Sequence, residues 1–174
     1  ATVTDRAGNV SDASANFVIT IDKSAPLTAP TFTVSDDVPP VVAPVLSGGS
    51  TNDPRPTLNG FAEPGSTVTI YNGTTVLGTV KASDPGGSWT FTPGSNLVDG
   101  EYNLTATATD AAGNVGPASP PFGLFIDTVP PANVTNFAVS DDFAPVTGLL
   151  TSGGSTNDST PTFTGRAEAG TTVS

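Results

Sequence analysis

The sequence predicts an all-β chain of tandem antiparallel β-sandwich domains without disulfides, and three observations lead there. First, apolar and polar residues alternate. Tyr102, Leu104, Ala106 and Ala108 are interleaved with Glu101, Asn103, Thr105, Thr107 and Thr109, the period-two pattern of a strand with one buried face. Phe17, Ile19 and Ile21 repeat it, as do Val68 with Ile70 and Trp89 with Phe91. Second, the 28 threonines favour pleated backbone, while 19 Gly and 17 Pro fall between the runs as turn formers, and no segment carries a helical period. Third, residues 1–69 align without a gap on residues 106–174, an offset of 105, with 36 of 69 positions identical. That period is too long for a solenoid and fits whole domains in series.

Taken in order, the elements define one complete unit. Residues 1–23 read as the last strands of a preceding unit, 24–128 as a complete unit and 129–174 as the opening of a following one. The joints are IDKSAP at 21–26 and IDTVPP at 126–131, each a strand end, an Asp and a Pro-containing linker. Seven strands are expected in the complete unit: A near 31–35, B near 56–61, C near 67–71, C′ near 75–81, E near 88–92, F near 101–109 and G near 117–127. Seven short strands separated by turn signals point to a sandwich of the immunoglobulin type, with Trp89 as a bulky core anchor among Phe91, Ile70, Leu104 and Leu124. A G strand of that length spans about 35 Å.

Composition excludes several functions. With no His and no Cys there is no imidazole base, thiol nucleophile, Ser-His-Asp triad or ordinary zinc site. Sixteen acidic residues against five basic ones give a net charge of −11, which repels nucleic acid and anionic membrane. No apolar run approaches the ~20 residues of a membrane span. Glu63, Glu101 and Glu168 are the only glutamates, and the acidic residues around them sit on turns rather than in a cleft, so no enzyme is expected. An acidic Gly/Pro-rich chain can be disordered, but 36% apolar residues in alternating runs argue for a packed core.

Several segments carry a family resemblance. They are TATDAAGNV at 107–115, IDTVPP at 126–131, PTLNGFAEPGSTVTIYNGTTVLGT at 56–79, SWTFTP at 88–93 and LVDGEYNLTATATD at 97–110. In combination they resemble the bacterial Ig-like repeats of large secreted adhesins and biofilm-associated surface proteins. The resemblance implies export by a one-step secretion system, a rod of tandem domains at the bacterial cell surface, and calcium at or near domain junctions. The segment VPPVVAPVLSGGSTND at 38–53 departs from the family's commoner glycine- and aspartate-containing loop.

Strand alternation sends the loops to two ends of the sandwich. One end collects the incoming linker with Asp22, the B–C turn with Glu63, the turn with Asp84 and the F–G turn with Asp110 and Asn114. The other collects Asp36, Asp37 and Asp53 of the A–B loop, Asp99 of the E–F loop and Asp127 of the exit linker. Asp22 is thus expected near Glu63, Asp110 and Asn114, and Asp127 near Glu168. Calcium takes six to eight oxygens from carboxylates, carbonyls and water, so the candidate Ca2+ ligands are Asp22, Glu63, Asp110, Asn114, Asp36, Asp37, Asp127 and Glu168. A bland reading stands beside this one. Asp110 followed by Ala-Ala-Gly-Asn is also an Asx-type turn, Asp36 and Asp37 also read as solvated loop carboxylates, and Thr51-Asn52-Asp53 as a cap on the turn into strand B.

The expected function is structural: a calcium-stiffened stalk segment of a surface adhesin serving adhesion or biofilm formation. Its partners are the neighbouring Ig-like repeats of the same chain, with a host or matrix ligand engaged through other domains. Two alternatives stay open, a ligand-binding Ig-like module and a self-assembling extracellular matrix filament.

Overall fold

The computed structural model describes all 174 residues. The chain contains strands and no helix, and it divides into two compact units, Ala1–Thr128 and Val129–Ser174. Residues 1–23 therefore group with residues 24–128 in the first unit.

The first unit holds nine strands: β1 (Thr31–Asp36), β2 (Ala43–Val45), β3 (Gly49–Thr51), β4 (Thr57–Phe61), β5 (Thr67–Asn72), β6 (Thr75–Lys81), β7 (Ser88–Phe91), β8 (Gly100–Thr109) and β9 (Phe122–Ile126). They form two sheets, in the orders β2-β1-β4-β7 and β3-β9-β8-β5-β6. Every pairing is antiparallel except that of β3 with β9, which runs parallel in the register Gly49↔Leu124, Ser50↔Phe125, Thr51↔Ile126.

The alternation read from the sequence fills the space between the sheets. Val34 and Leu58 of one sheet meet Val68, Ile70, Leu104, Ala106, Leu124 and Ile126 of the other. Fully burying one such aliphatic side chain contributes roughly 1.5–3 kcal/mol. Trp89 is the anchor expected of it, with its ring 6.0 Å from Phe32. Two glycines make room for the aromatics. A Cβ on Gly60 would collide with Thr31 O and stand 2.7 Å from Trp89 Cζ2, and one on Gly78 would stand 2.5 Å from Phe91 Cε2. Tyr102, near the start of β8, donates its hydroxyl to Val98 O at 2.8 Å and so ties the preceding loop to the core. This is the tyrosine corner of immunoglobulin-like sandwiches.

Two expectations change. The segment read as an A–B loop contains β2 and β3. The chain folds back on β1, turns through Gly48 at φ +84°, and crosses to the other sheet to pair with β9. The last strand is also shorter than expected, beginning at Phe122 rather than near 117. Pro117, Pro120 and Pro121 lack the N–H that a ladder needs. The stretch before β9 is held beside β8 at separate points instead, by Gly116 N to Ala108 O and Ser119 N to Ala106 O. Within residues 1–23 there is no strand, only a bridge between Thr4 and Val10 matching the one between Thr109 and Val115.

The second unit is a three-stranded sheet, β11-β10-β12, of β10 (Thr135–Asp141), β11 (Gly148–Leu149) and β12 (Thr162–Arg166). These are the repeat counterparts of β1, β2 and β4.

Candidate functional site

The loop bonds gather at two ends of the first unit, as strand alternation requires. At one end, Asp110 closes β8 and starts the turn Ala111–Asn114. Its Oδ1 accepts the N–H groups of Ala112 at 2.8 Å and Asn114 at 2.9 Å, and its Oδ2 accepts Asn114 Nδ2 at 2.8 Å. Gly113 supplies the positive φ of +91° that the turn demands. The Asn114 amide, followed by the backbone N–H donors, holds the Asp110 carboxyl below the usual carboxylate range. The Asx-turn reading of this loop is therefore realised. The loop also does more than turn: Asn114 Nδ2 reaches the linker carbonyls Asp22 O at 3.3 Å and Ser24 O at 3.4 Å. Pro26 lies so close behind that a Cβ on Gly116 would stand 2.6 Å from Pro26 O. Residues 22–26 are thus seated on the turn after β8.

The expected convergence of carboxylates is not what forms here. Within neither unit do three or more acidic side chains gather so as to hold a metal ion. The physical reason is local. Asp110 is turned onto its own loop, the Asp22 side chain accepts Ser24 N at 2.9 Å, and the turn holding Glu63 is closed by Ser66 N and Oγ on the Glu63 carbonyl. Asp22 meets Asn114 through its backbone carbonyl rather than its carboxylate. Asp84 lies across the Glu63 turn, 3.8 Å from where a Cβ on Gly65 would be.

At the other end, Asp37 is exposed, as a solvated loop carboxylate should be, but Asp36 is buried. The partner of Asp36 is the Thr51–Asp53 segment. Thr51 Oγ1 donates to Asp36 Oδ2 at 2.7 Å and accepts Asp53 N at 3.0 Å, while Asp36 Oδ1 accepts Val38 N at 2.8 Å. Asp53 Oδ1 accepts Arg55 N at 2.7 Å, which realises the expected cap into strand B. Asp53 is buried, which its place in a polar turn segment does not signal, and its Oδ2 has no partner. The signal that finds this group is the repeat. Asp36 and Thr51 recur as Asp141 and Thr156, and Asp53 recurs as Asp158. Asp127 N joins the same end by donating to Thr51 O at 3.0 Å, and Asp99 Oδ1 accepts Thr128 N at 3.1 Å and Thr128 Oγ1 at 2.9 Å.

The second unit rebuilds this network. Thr156 Oγ1 donates to Asp141 Oδ2 at 2.6 Å and accepts Asp158 N at 2.9 Å. Asp158 Oδ1 accepts Thr160 N at 2.8 Å, the main cause of its lowered pKa, and Oδ2 accepts Asp142 N at 3.3 Å. Glu168 Oε2 accepts Ala132 N at 3.2 Å.

The bonds at both ends run among carboxylates, carbonyls, hydroxyls and amides of the chain itself. A groove beside Pro30, Phe32, Pro121 and Phe122 has a volume of about 210 Å³, below the 300–1,000 Å³ usual for small-molecule pockets.

Known proteins place this architecture. The chain is 41% identical over 83 residues to bacillopeptidase F of Bacillus subtilis (strain 168), a match covering 48% of this chain and 6% of that protein. The family description "Bacterial Ig-like domain" matches residues 46–128, from just before β3 to the residue after Asp127. With its two-sheet sandwich, its tyrosine corner and this match together, the segment 46–128 belongs to the bacterial Ig-like domain family.

Proposed function

We propose that the chain is a stretch of an extracellular bacterial stalk, in which Ig-like domains act as stiff beads that carry a binding region away from the cell. The observation that carries this reading is the seating of linker residues 22–26 on the turn after β8, through Asn114 and Gly116. Connections between domains are mobile by default, and a linker held at several points is the departure a stalk needs. The family is a non-catalytic one, and the match to 6% of a much larger bacterial protein fits an accessory module within a long chain. A ligand-binding module has less support, because the grooves beside Phe32 and beside Phe137 have volumes of about 210 and 280 Å³, below those usual for small-molecule sites.

Calcium belongs to this proposal. The fit rests on the oxygens around the Asn114 amide: Asp110 Oδ2 and the carbonyls of Asp22 and Ser24 all point at Nδ2. Turning that amide over presents Oδ1 in its place, which makes four oxygens of the kinds calcium takes. Bound there, the ion supplies a bridge between linker and turn. Extracellular modules bind calcium at about 10⁻⁴–10⁻³ M, so the joint would be stiff outside a cell and loose in a calcium-poor cytosol.

Small-angle X-ray scattering of the full chain tests the reading. The maximum dimension should be larger and its distribution narrower in calcium than in chelator, and Asp110→Asn should remove the difference. Identical curves in the two buffers would eliminate calcium from the proposal. A broad, flexible distribution in both would eliminate the stiff stalk.

A further inference from the structure

One ladder of the first unit is present a second time in the chain, with its two halves apart. In the first unit β3 and β9 pair in parallel, Gly49↔Leu124, Ser50↔Phe125 and Thr51↔Ile126. The repeat offset of 105 puts the counterparts of β9 at residues 17–21 and those of β3 at residues 154–156. Neither segment is a strand. Ile19 and Ile21 are 68% and 75% exposed, where their counterparts Leu124 and Ile126 are 3% and 0%. Phe17 and Val18 are exposed beside them. An apolar run of alternating period left in water is a strand without its sheet.

Both halves are already shaped for the pairing. Ahead of residues 17–21, Ser14 N donates to Ala1 O and Ser11 N to Val3 O. Ahead of β9, Ser119 N and Gly116 N make the matching bonds to Ala106 O and Ala108 O. In the other half, Gly153 takes φ +83° and Gly154 N donates to Thr151 O. Gly48 and Gly49 do the same at β3, with φ +84° and a bond to Leu46 O. The sequence Ser-Gly-Gly-Ser-Thr is identical at 47–51 and 152–156. The change that adds bulk at the seam, Gly123 to Val18, has room. A Cβ on Gly123 would stand 3.5 Å from Gly48 N, an ordinary contact.

We infer that residues 17–21 of one copy of the chain dock on residues 154–156 of a second copy, as a parallel strand in the register Ile19↔Gly154, Thr20↔Ser155, Ile21↔Thr156. Gly153 N would then donate to Val18 O, as Gly48 N does to Gly123 O at 2.7 Å. Phe17 would lie on the exposed ring of Phe137, as Phe122 lies 5.8 Å from Phe32. The partner is another copy because the chain enters the first unit from residues 17–21 at one end and leaves it for residues 154–156 at the other. Residues 22–26 sit on the turn after β8, and the exit follows Asp127, whose N–H is held by Thr51 O. Such a contact is heterologous, so it leaves one donor and one acceptor free and can add further copies head to tail. It needs neither calcium nor the stalk reading.

Sedimentation velocity of the full chain over a range of concentrations tests this, with chelator present throughout. The near-ultraviolet signal of Trp89 checks the fold of the first unit. The mean mass should rise with concentration to about twice that of one chain or beyond. Ile19→Asp changes a residue already in water, so the first unit stays folded and the mass should fall back to that of one chain. The chain has no Cys, so single-cysteine variants read the register. Facing strands stand about 4.8 Å apart, within disulfide reach. Thr20→Cys mixed with Ser155→Cys should therefore cross-link several-fold more than Thr20→Cys mixed with Thr135→Cys, another exposed position. A single-chain mass at every concentration overturns the inference. So does association that Ile19→Asp leaves unchanged, or a Thr20→Cys/Ser155→Cys double variant that closes within one chain instead of between copies.

Discussion

The two units present one sequence in two settings, and what survives the change is instructive. The polar turn network is kept in its main bonds. Asp36–Thr51–Asp53 and Asp141–Thr156–Asp158 make matching bonds across the units, and within the first unit so do the repeat-related turns Asp5–Asn9 and Asp110–Asn114. Apolar burial is not preserved. Leu58 is 2% exposed and its counterpart Phe163 64%; Phe32 packs on the rings of Trp89 and Phe122, whereas Phe137 pairs with the one ring of Phe163. Gly60 is wedged between Thr31 and Trp89, while a Cβ on Gly165 would crowd Val134 Cγ1 at 3.0 Å and otherwise make ordinary contacts with Thr135 O and Phe137 Cα. Turn networks are closed by residues within about twenty positions of one another, so a short piece of chain suffices. A sandwich core needs the opposite sheet, and β5, β6, β8 and β9 have no counterparts in the second unit.

Substitutions at matched positions sharpen this contrast. The largest effect is expected from Leu58→Ala, which opens a cavity between two sheets and should cost about 2–5 kcal/mol in urea unfolding followed by Trp89 fluorescence. Phe163→Ala should cost under about 1 kcal/mol by comparison, because its side chain is largely in water already. Next, Gly60→Ala should destabilise by about 1–3 kcal/mol through overpacking against Trp89, and Gly165→Ala by much less. Equal costs at 58 and 163, or at 60 and 165, would break the comparison.

Tyr102→Phe keeps the ring and removes only the bond to Val98 O, so a loss of about 1 kcal/mol is expected from the same unfolding curves. The smallest effect tests the part the two loops share. Asp5 and Asp110 are both held below the usual carboxylate value of about 3.9, each chiefly by its own asparagine side chain. A depressed folded-state pKa stabilises the fold above the unfolded value, and that contribution is lost as pH falls through the folded one. The Asn9 and Asn114 amide resonances should therefore titrate together in NMR, with midpoints below about 3.9. Asp110→Asn should abolish only the second.

Much of the fold was legible before any coordinates. The alternation at Tyr102–Ala108 located β8, and the paired patterns at Val68/Ile70 and Trp89/Phe91 located β5 and β7. The turn Asp110–Asn114 was legible too, because Asp and Asn at that spacing bond locally. The short strands β2 and β3 were not, since three residues are too few to show a period and Gly49-Ser50-Thr51 has the composition of a turn. The burial of Asp36 was illegible for a related reason. Asp36 and Asp37 are adjacent in sequence and therefore point to opposite faces, one into the core and one to solvent. The side chain that bonds to Asp36 is Thr51, which lies at the end of β3, beyond β2 and a crossover between sheets.

By itself, then, the sequence determined the β character of the chain, its repeat, its turns and the identity of the residues able to fill a core, because these follow from periods and bonds within one short segment. Only the tertiary structure decided that the chain switches sheets at Gly48, that the last strand starts after its prolines, and which acids are buried together. Those outcomes depend on groups far apart along the chain competing for the same space, and no local pattern records which of them arrives.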